Sequence, residues 1–369
     1  MNVDALRAHF PALSRVAYFN AGTDGPLPDA AVRAAAQTLE DEARHGRTHR
    51  HFERRTALSG ELRGAYASLL GCADEDVSLT TCTSEGLSLV IEGLRLEAGD
   101  EILTSDEEHP GLLGALIAAR ELRGVSIRTV PWAQLPDAVG PRTRLIACSH
   151  VSWMTGAVAP AALAQVKVPV LLDGAQGVGA IPTDVRALRC AAYAGPGQKW
   201  LCGPDSTGML YTAPELRARL AVGRRGYANL DDPSAGLQAG LHDDGRRLDT
   251  LSLNAETVAG ALAAFGVLEH FGWAALHERA RRLAGELAER LRAAGRETIA
   301  RPQGAAGQAD AGAGTLVTFS SPNPSAERER LTERGIALRD IPGRPWLRAS
   351  VGGWNNQADI VRLVDALRE

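Results

Sequence analysis

Gly195-Pro196-Gly197-Gln198-Lys199-Trp200, followed by Gly203-Pro204 and the apolar run Thr207-Gly208-Met209-Leu210-Tyr211, is the stretch from which the rest of the chain can be read. Lys199 is its central residue. Of 40 basic side chains only Lys167 and Lys199 are lysine; all others are arginine. A chain that uses arginine almost everywhere yet keeps a lysine between glycines, after an apolar strand, points to an amine that must be able to lose its proton. A guanidinium cannot do so at useful pH. Such an amine can condense with an aldehyde, the chemistry of Schiff-base catalysis. The competing reading is an ordinary surface lysine, and Lys167, in Gln165-Val166-Lys167-Val168-Pro169, reads that way.

Outward from this stretch the pattern is strand, polar loop, helix. Residues 168–172 form a continuous apolar run, the mark of a buried strand, and end in Asp173-Gly174-Ala175-Gln176. A carboxylate there is either a helix N-cap or the partner of a protonated ring nitrogen. In the second use it keeps a pyridine ring able to accept electrons, which together with Lys199 points to pyridoxal phosphate. Asp76-Val77-Ser78-Leu79-Thr80 reads as a strand running into Thr81-Cys82-Thr83-Ser84-Glu85-Gly86 and an apolar helix. Free amides and hydroxyls at that helix start suit a phosphate, although a plain cap has the same composition. The strand Glu101-Ile102-Leu103-Thr104 leads through Asp106-Glu107-Glu108-His109-Pro110 into a helix with proline in its first turn. His109 then stands at a strand end, either structural or stacked on a planar cofactor. Further strands cover 125–130 and 145–149, the latter followed by His150-Val151-Ser152-Trp153-Met154-Thr155-Gly156.

Upstream, Val16-Ala17-Tyr18-Phe19 enters Asn20-Ala21-Gly22-Thr23-Asp24-Gly25-Pro26, a loop whose glycines and proline allow a sharp turn and close approach to a ligand, or a simple turn. Residues 28–70 read as helical, interrupted by the histidine-bearing loop 45–51. His49 and His51 lack the i, i+4 spacing of a helical metal pair, so a solvated basic loop is expected and no metal.

Polar motifs that always follow strands indicate an open α/β sheet with its site beyond the carboxyl ends of the strands. At 369 residues two domains are expected. Residues 1–247 would form the large cofactor-binding domain, with 1–27 near the site, and 248–369 a small C-terminal α+β domain. Residues 223–247 read as an irregular closing segment and 302–314 as a flexible Gly/Ala-rich loop. Leu276, Leu283, Leu287 and Leu291 mark one long helix, and Ile360, Leu363, Val364 and Leu367 the buried face of the last one. Strands are expected near 316–319 and 346–348.

Net charge is −4 and basic residues are scattered, which gives no footprint for nucleic acid or an anionic membrane. No apolar run reaches the roughly 18 residues of a spanning helix, and the N-terminus lacks a signal-peptide pattern, so a cytoplasmic protein is expected. Cys72, Cys82, Cys148, Cys190 and Cys202 show no metal spacing and read as free thiols.

The order of these motifs resembles the class V aminotransferase family of fold type I pyridoxal-phosphate enzymes, which includes cysteine desulfurases, isopenicillin N epimerase-like proteins and C–S lyases. The likeness implies a large domain with a mostly parallel seven-stranded sheet and a small α+β domain. It further implies Lys199 as the lysine linked to the cofactor, Asp173 as partner of the pyridine nitrogen and His109 as the stacking ring. Thr83 and Ser84 would hold the phosphate, with Gln198 beside the lysine, and Gln176 would bond the phenolic oxygen. Arg348, in Leu347-Arg348-Ala349-Ser350, would bind the substrate carboxylate, and Asn20 and Gly22 belong to the loop at the mouth of the site. The family is dimeric, and Arg247-Leu248-Asp249-Thr250-Leu251-Ser252 resembles the segment that reaches the partner's phosphate, with Ser252 where threonine is usual.

Three departures narrow the reaction. Trp153 stands where the family commonly has asparagine against the cofactor oxygen, and Gln198 replaces a frequent histidine. No cysteine follows Cys202, so the loop Ile341-Pro342-Gly343-Arg344-Pro345 lacks the nucleophile that desulfurases carry in the matching region. β-Elimination needs a leaving group but no enzyme thiol. A C–S β-lyase acting on cystine or an S-substituted cysteine is therefore placed ahead of an aminotransferase or amino-acid epimerase, with a desulfurase or a non-catalytic cofactor-binding protein behind them. The expected ligand is a small-molecule amino-acid substrate, and the expected partner a second copy of the chain.

Overall fold

Strand and helix alternate through the first half of the chain because apolar runs of four to seven residues are punctuated by Gly, Pro and capping residues. The computed structural model describes residues 1–299 and 314–369; nearly all of the 302–314 stretch lies outside the described residues. In chain order the elements are α1 (Val3–Ala8), β1 (Ala17–Tyr18), α2 (Asp29–His45), α3 (His49–Leu70), β2 (Val77–Thr80), α4 (Thr83–Gly93), β3 (Glu101–Ser105), α5 (Pro110–Arg123), β4 (Ser126–Val130), β5 (Thr143–Ser149), β6 (Val170–Asp173), α6 (Val185–Leu188), β7 (Ala192–Pro196), β8 (Gly208–Thr212), α7 (Pro214–Arg219), α8 (Ala255–Phe271), α9 (Trp273–Ala293), β9 (Leu316–Ser320), α10 (Pro324–Glu333), β10 (Ile336–Ala337), β11 (Arg339–Asp340), β12 (Trp346–Ser350) and α11 (Gln357–Ala366). One expectation is corrected here. His49 and His51 lie in the first turn of α3, so the loop between α2 and α3 is only residues 46–48. The short break needs just Gly46, at φ +74°, to turn the chain.

Seven strands form one sheet in the order β2-β8-β7-β6-β5-β3-β4. β8 runs antiparallel to β2 and β7, and all other pairs are parallel. β6, β7 and β5 from Leu145 onward are buried on both faces, which is why 145–148 and 170–172 read as continuous apolar runs rather than alternating ones. Register places Ser149, Asp173 and Ala194 abreast on β5, β6 and β7. The parallel strands thus end along one edge, and the loops that follow them meet there.

A second, antiparallel sheet, β11-β12-β9, packs its apolar face on the buried stripe of α9, Leu283, Leu287 and Leu291, and on Ile360, Leu363 and Val364 of α11. α8 and α9 are bent by 78° at Gly272 (φ +83°). No single helix among the described residues is long and apolar enough to cross a membrane. The N-terminal segment is stitched to the far end of the chain: β1 pairs in parallel with β10, and Asn20 bridges to Ser350. This pairing carries loop 20–26 over the open edge of the large sheet.

Candidate active site

Lys199 leaves β7 on a loop held by its own backbone. Its carbonyl accepts from Cys202 N at 3.1 Å, and the carbonyl of Gln198 accepts from Gly25 N at 2.8 Å. The side chain is half-buried. Desolvation lowers its pKa to about 8, against the pull of Asp173 and Asp24 and with the repulsion of Arg348 and Arg339. An amine so placed gives up its proton closer to neutral pH than an exposed lysine does.

Asp173 ends β6 with its carboxylate almost wholly out of water. Oδ1 accepts from Ala175 N at 2.9 Å, and Oδ2 takes no hydrogen bond from the described residues. Burial raises its pKa, while the Ala175 amide and Lys199 oppose the rise. A buried carboxylate with a free oxygen calls for a cationic N–H partner. His109 is the N-cap of α5: Nδ1 accepts from Gly111 N at 3.0 Å, which leaves the proton of the neutral ring on Nε2. Desolvation, reinforced by Lys199, Arg339 and Arg348, depresses its pKa to about 4, so the ring is uncharged at neutral pH.

Thr83 and Ser84 open α4. Its N-cap, Cys82, makes no side-chain capping bond, so the first amides of an 11-residue helix lack the usual partner. Gln198 adds a buried Oε1 without a partner among the described residues. Gln176 is already engaged. Its Nε2 donates to the Gly22 carbonyl at 2.7 Å, and its Oε1 accepts from Trp200 Nε1 at 3.1 Å, so it ties loop 20–26 to the lysine loop and keeps one N–H to spare.

Arg348 on β12 is buried to 1% exposure. Nη1 donates to the Trp153 carbonyl at 2.7 Å, while Nε and Nη2 have no partner among the described residues. Burial and the nearby Arg339 lower its pKa to about 9. Gly22 leaves it room: a Cβ there would lie 2.7 Å from Arg348 Nη2, 2.7 Å from Ser350 Oγ and 2.8 Å from Gln176 Oε1. Asn20 Oδ1 and Ser350 Oγ are buried without partners among the described residues. Ser252 is exposed and makes no hydrogen bond among the described residues. Two residues earlier, Thr250 bonds Leu79 O at 2.8 Å and Glu85 Oε1 at 3.0 Å, beside the α4 turn, and Arg247 Nε is buried without a partner among the described residues.

The structure therefore brings Lys199, Asp173, His109 and Arg348 into one electrostatic neighbourhood at the sheet edge. It adds residues that sequence reading passed over. Arg339 of β11 lies 6.0 Å above the Trp153 ring and acts on Lys199, His109 and Arg348. Glu107 and Glu108 are buried, and Glu108 binds Ser105 Oγ, Ser149 N (2.9 Å) and Ser149 Oγ (2.6 Å). Two carboxylates straight after a buried strand were the available signal.

An unpartnered helix start, a buried carboxylate with a free oxygen, a deprotonatable lysine and a guanidinium fork with two free arms suit a phosphorylated, cationic, carbonyl-bearing ring and an amino acid beside it. The Aminotransferase class-V sequence profile matches residues 16–363. The chain belongs to the class V aminotransferase family. Class V chains such as this one are fold type I enzymes with pyridoxal phosphate as cofactor. This class V chain is similar to isopenicillin N epimerase of Streptomyces clavuligerus, 32% identical over 54% of each chain. It is similar to isopenicillin N epimerase of Amycolatopsis lactamdurans, 29% identical over 96% of this chain and 95% of that one. It is also 32% identical to cysteine desulfurase CsdA of Escherichia coli (strain K12) over 58% of each. The match thus spans about half the length of the Streptomyces relative. Among solved structures it superposes on the cystine C–S lyase C-DES in complex with its product cysteine persulfide, with TM-score 0.89 and 28% identity over 98% of this chain and 99% of that one. A lysine-to-alanine mutant of C-DES with glycine covalently linked to its PLP cofactor gives TM-score 0.91 and 27% identity over 98% and 99%.

Proposed function

We propose that this class V enzyme is a C–S β-lyase acting on cystine or an S-substituted cysteine. The observation that carries the reading is where its thiols lie. Cys202, three residues past Lys199, is fully buried and burial pushes its pKa well up, as it does for Cys148. Desolvation likewise raises Cys72 and Cys190 to about 12. Cys82 sits in the α4 turn assigned here to phosphate. The loop 341–345 carries none. Attack on a substrate sulfur needs an accessible thiolate; elimination needs only a base, a grip on the carboxylate and a leaving group.

Pyridoxal phosphate, when bound, supplies an aldehyde for the substrate amine and a protonated ring that draws electron density from Cα. Thr83, Ser84 and Gln198 would hold its phosphate, Asp173 Oδ2 would keep the proton on its ring nitrogen, and the uncharged His109 ring would cover its face. Lys199 Nζ, its pKa drawn down toward neutrality chiefly by burial, takes the Cα proton and as an ammonium can return it to the departing sulfur. Arg348 Nε and Nη2 receive the α-carboxylate as a planar fork. Arg339 offers a second cation, which suits a substrate with a second carboxylate, as cystine has. C-DES, similar over nearly the whole chain, is a cystine C–S lyase, which supports the same choice. We also propose a homodimer in which Ser252 meets the partner's phosphate.

The test is product analysis of the holoenzyme. Cystine and S-substituted cysteines should yield pyruvate, and alanine with a keto acid should yield no transamination. Transamination without pyruvate from any sulfur substrate would move the assignment to an aminotransferase, and accumulation of the D-isomer to an epimerase. Alanine and sulfide from free cysteine would restore a desulfurase.

A further inference from the structure

Trp153, which stands where a cofactor contact was expected, touches three site residues at once. Its carbonyl holds Arg348 Nη1 at 2.7 Å, its ring meets His109 edge-on at 5.1 Å, and Arg339 lies 6.0 Å above it. What holds Trp153 is a tight turn over residues 152–155, closed by Gly156 N to Ser152 O at 2.9 Å, with Gly156 at φ +76°. Inside the turn, Ser152 Oγ accepts from the amides of Met154 (3.3 Å) and Thr155 (3.2 Å). Both lone pairs of that hydroxyl are then in use, so its proton needs an acceptor elsewhere. Glu107 Oε2 provides it, and the same oxygen accepts from Thr155 Oγ1 at 2.9 Å. Glu107 is 3% exposed and Ser152 is fully buried. Charge-assisted bonds between buried groups are stiff, and the turn cannot move without leaving the carboxylate short of donors. The outer side of the turn is tied to the small sheet, where Thr318 Oγ1 of β9 donates to Met154 O at 2.6 Å.

We propose that Glu107 is a positioning residue for substrate recognition: through one carboxylate oxygen it sets the 152–155 turn, and through the Trp153 carbonyl it aims the free arms of Arg348. The proposal rests on the reading of Arg348 as the carboxylate site. Both hydroxyls of the turn donate to the same oxygen, Oε2, and an amide oxygen in that place can accept them, whereas a methyl group cannot.

Four holoenzyme variants test this with steady-state kinetics on cystine and with calorimetric binding of glycine, which carries a carboxylate but no leaving group. Arg348→Lys is the control for the reading beneath: KM and the glycine Kd should both rise, and if neither moves, the role of Arg348 falls. Given that rise, Glu107→Ala should raise both quantities about tenfold, the worth of one well-made charge-assisted hydrogen bond. kcat and the cofactor Kd should stay within about twofold, and Glu107→Gln should stay within about threefold of wild type throughout. Unchanged KM in Glu107→Ala beside a raised KM in Arg348→Lys overturns the positioning role alone. So does cofactor loss in step with KM, or a glutamine variant as impaired as the alanine one. Should Glu107→Ala fail to fold, Ser152→Ala removes the same anchor from the other side; a severalfold rise in the glycine Kd is expected, and no rise overturns the proposal.

Discussion

Replacing Asp173 by asparagine separates the chemistry of the site from its architecture. The side chains are isosteric, and the bond from Ala175 N to Oδ1 at 2.9 Å survives because an amide oxygen accepts as a carboxylate does. What changes is the second atom: Oδ2, which the described residues leave without a donor, becomes an N–H₂ group that cannot accept from a ring N–H. A hydrogen bond between charged groups contributes about 1.5–3 kcal/mol, so the protonated ring should lose that much support and turnover should fall by a factor of about 10 to 150. The cofactor-free protein should respond the other way. Burial raises the Asp173 pKa above its unfolded value, so its ionisation costs stability as pH rises through the folded pKa. Asp173→Asn removes that cost and should raise the melting temperature of the apoprotein at pH 8. The assays are pyruvate release from cystine, near-visible absorbance of the holoenzyme and apoprotein melting. Full turnover in Asp173→Asn, or an apoprotein that melts lower at pH 8, would refute the reasoning.

Glu108 should make the apoprotein pH-sensitive in the same sense. Desolvation raises its pKa from 4.5 to about 7, so its contribution is complete below pH 4.5 and is lost as pH climbs through 7, by about 3 kcal/mol at most. In urea melts the difference between wild type and Glu108→Gln should therefore change across that window, and a constant difference would show that the carboxyl does not titrate there. Ser252→Ala should weaken cofactor retention modestly, by about 1.5–3 kcal/mol if one bond to phosphate is lost. The wild-type holoenzyme should sediment as a dimer, and an active monomer with cofactor bound would remove the shared-site reading.

The large sheet was legible because its signals are local. The run 168–172 is apolar on every residue because β6 is covered on both faces, and a charge at its end, Asp173, stands out against that background. The lysine loop and the α4 turn announce themselves in the same way, through Gly, Pro and hydroxyl residues at the ends of apolar runs. Arg339 gave no such signal. It sits on a two-residue strand and looks like any other arginine until β11 pairs with β12 and sets it beside Arg348. Glu107 and Glu108 were read only as part of the loop that leads into α5. They are buried because the neighbouring parallel strand β5 ends level with them and its loop folds back across their carboxylates. His49 and His51 were placed in a loop because polar helical residues carry no periodic mark.

By itself the sequence determined the α/β class, the strand ends and the identity of the groups that could do chemistry there, since backbone periodicity and turn chemistry act over a few neighbouring residues. Only the tertiary structure decided which of those groups share a site and in what state of protonation. Asn20 reaches Ser350 and Trp153 reaches Arg348 across separations of hundreds of residues. The lowered pKa of Lys199 and the raised pKa of Asp173 come chiefly from burial by segments distant in the chain. Desolvation depends on what surrounds a side chain in space, and no short stretch of sequence contains that information.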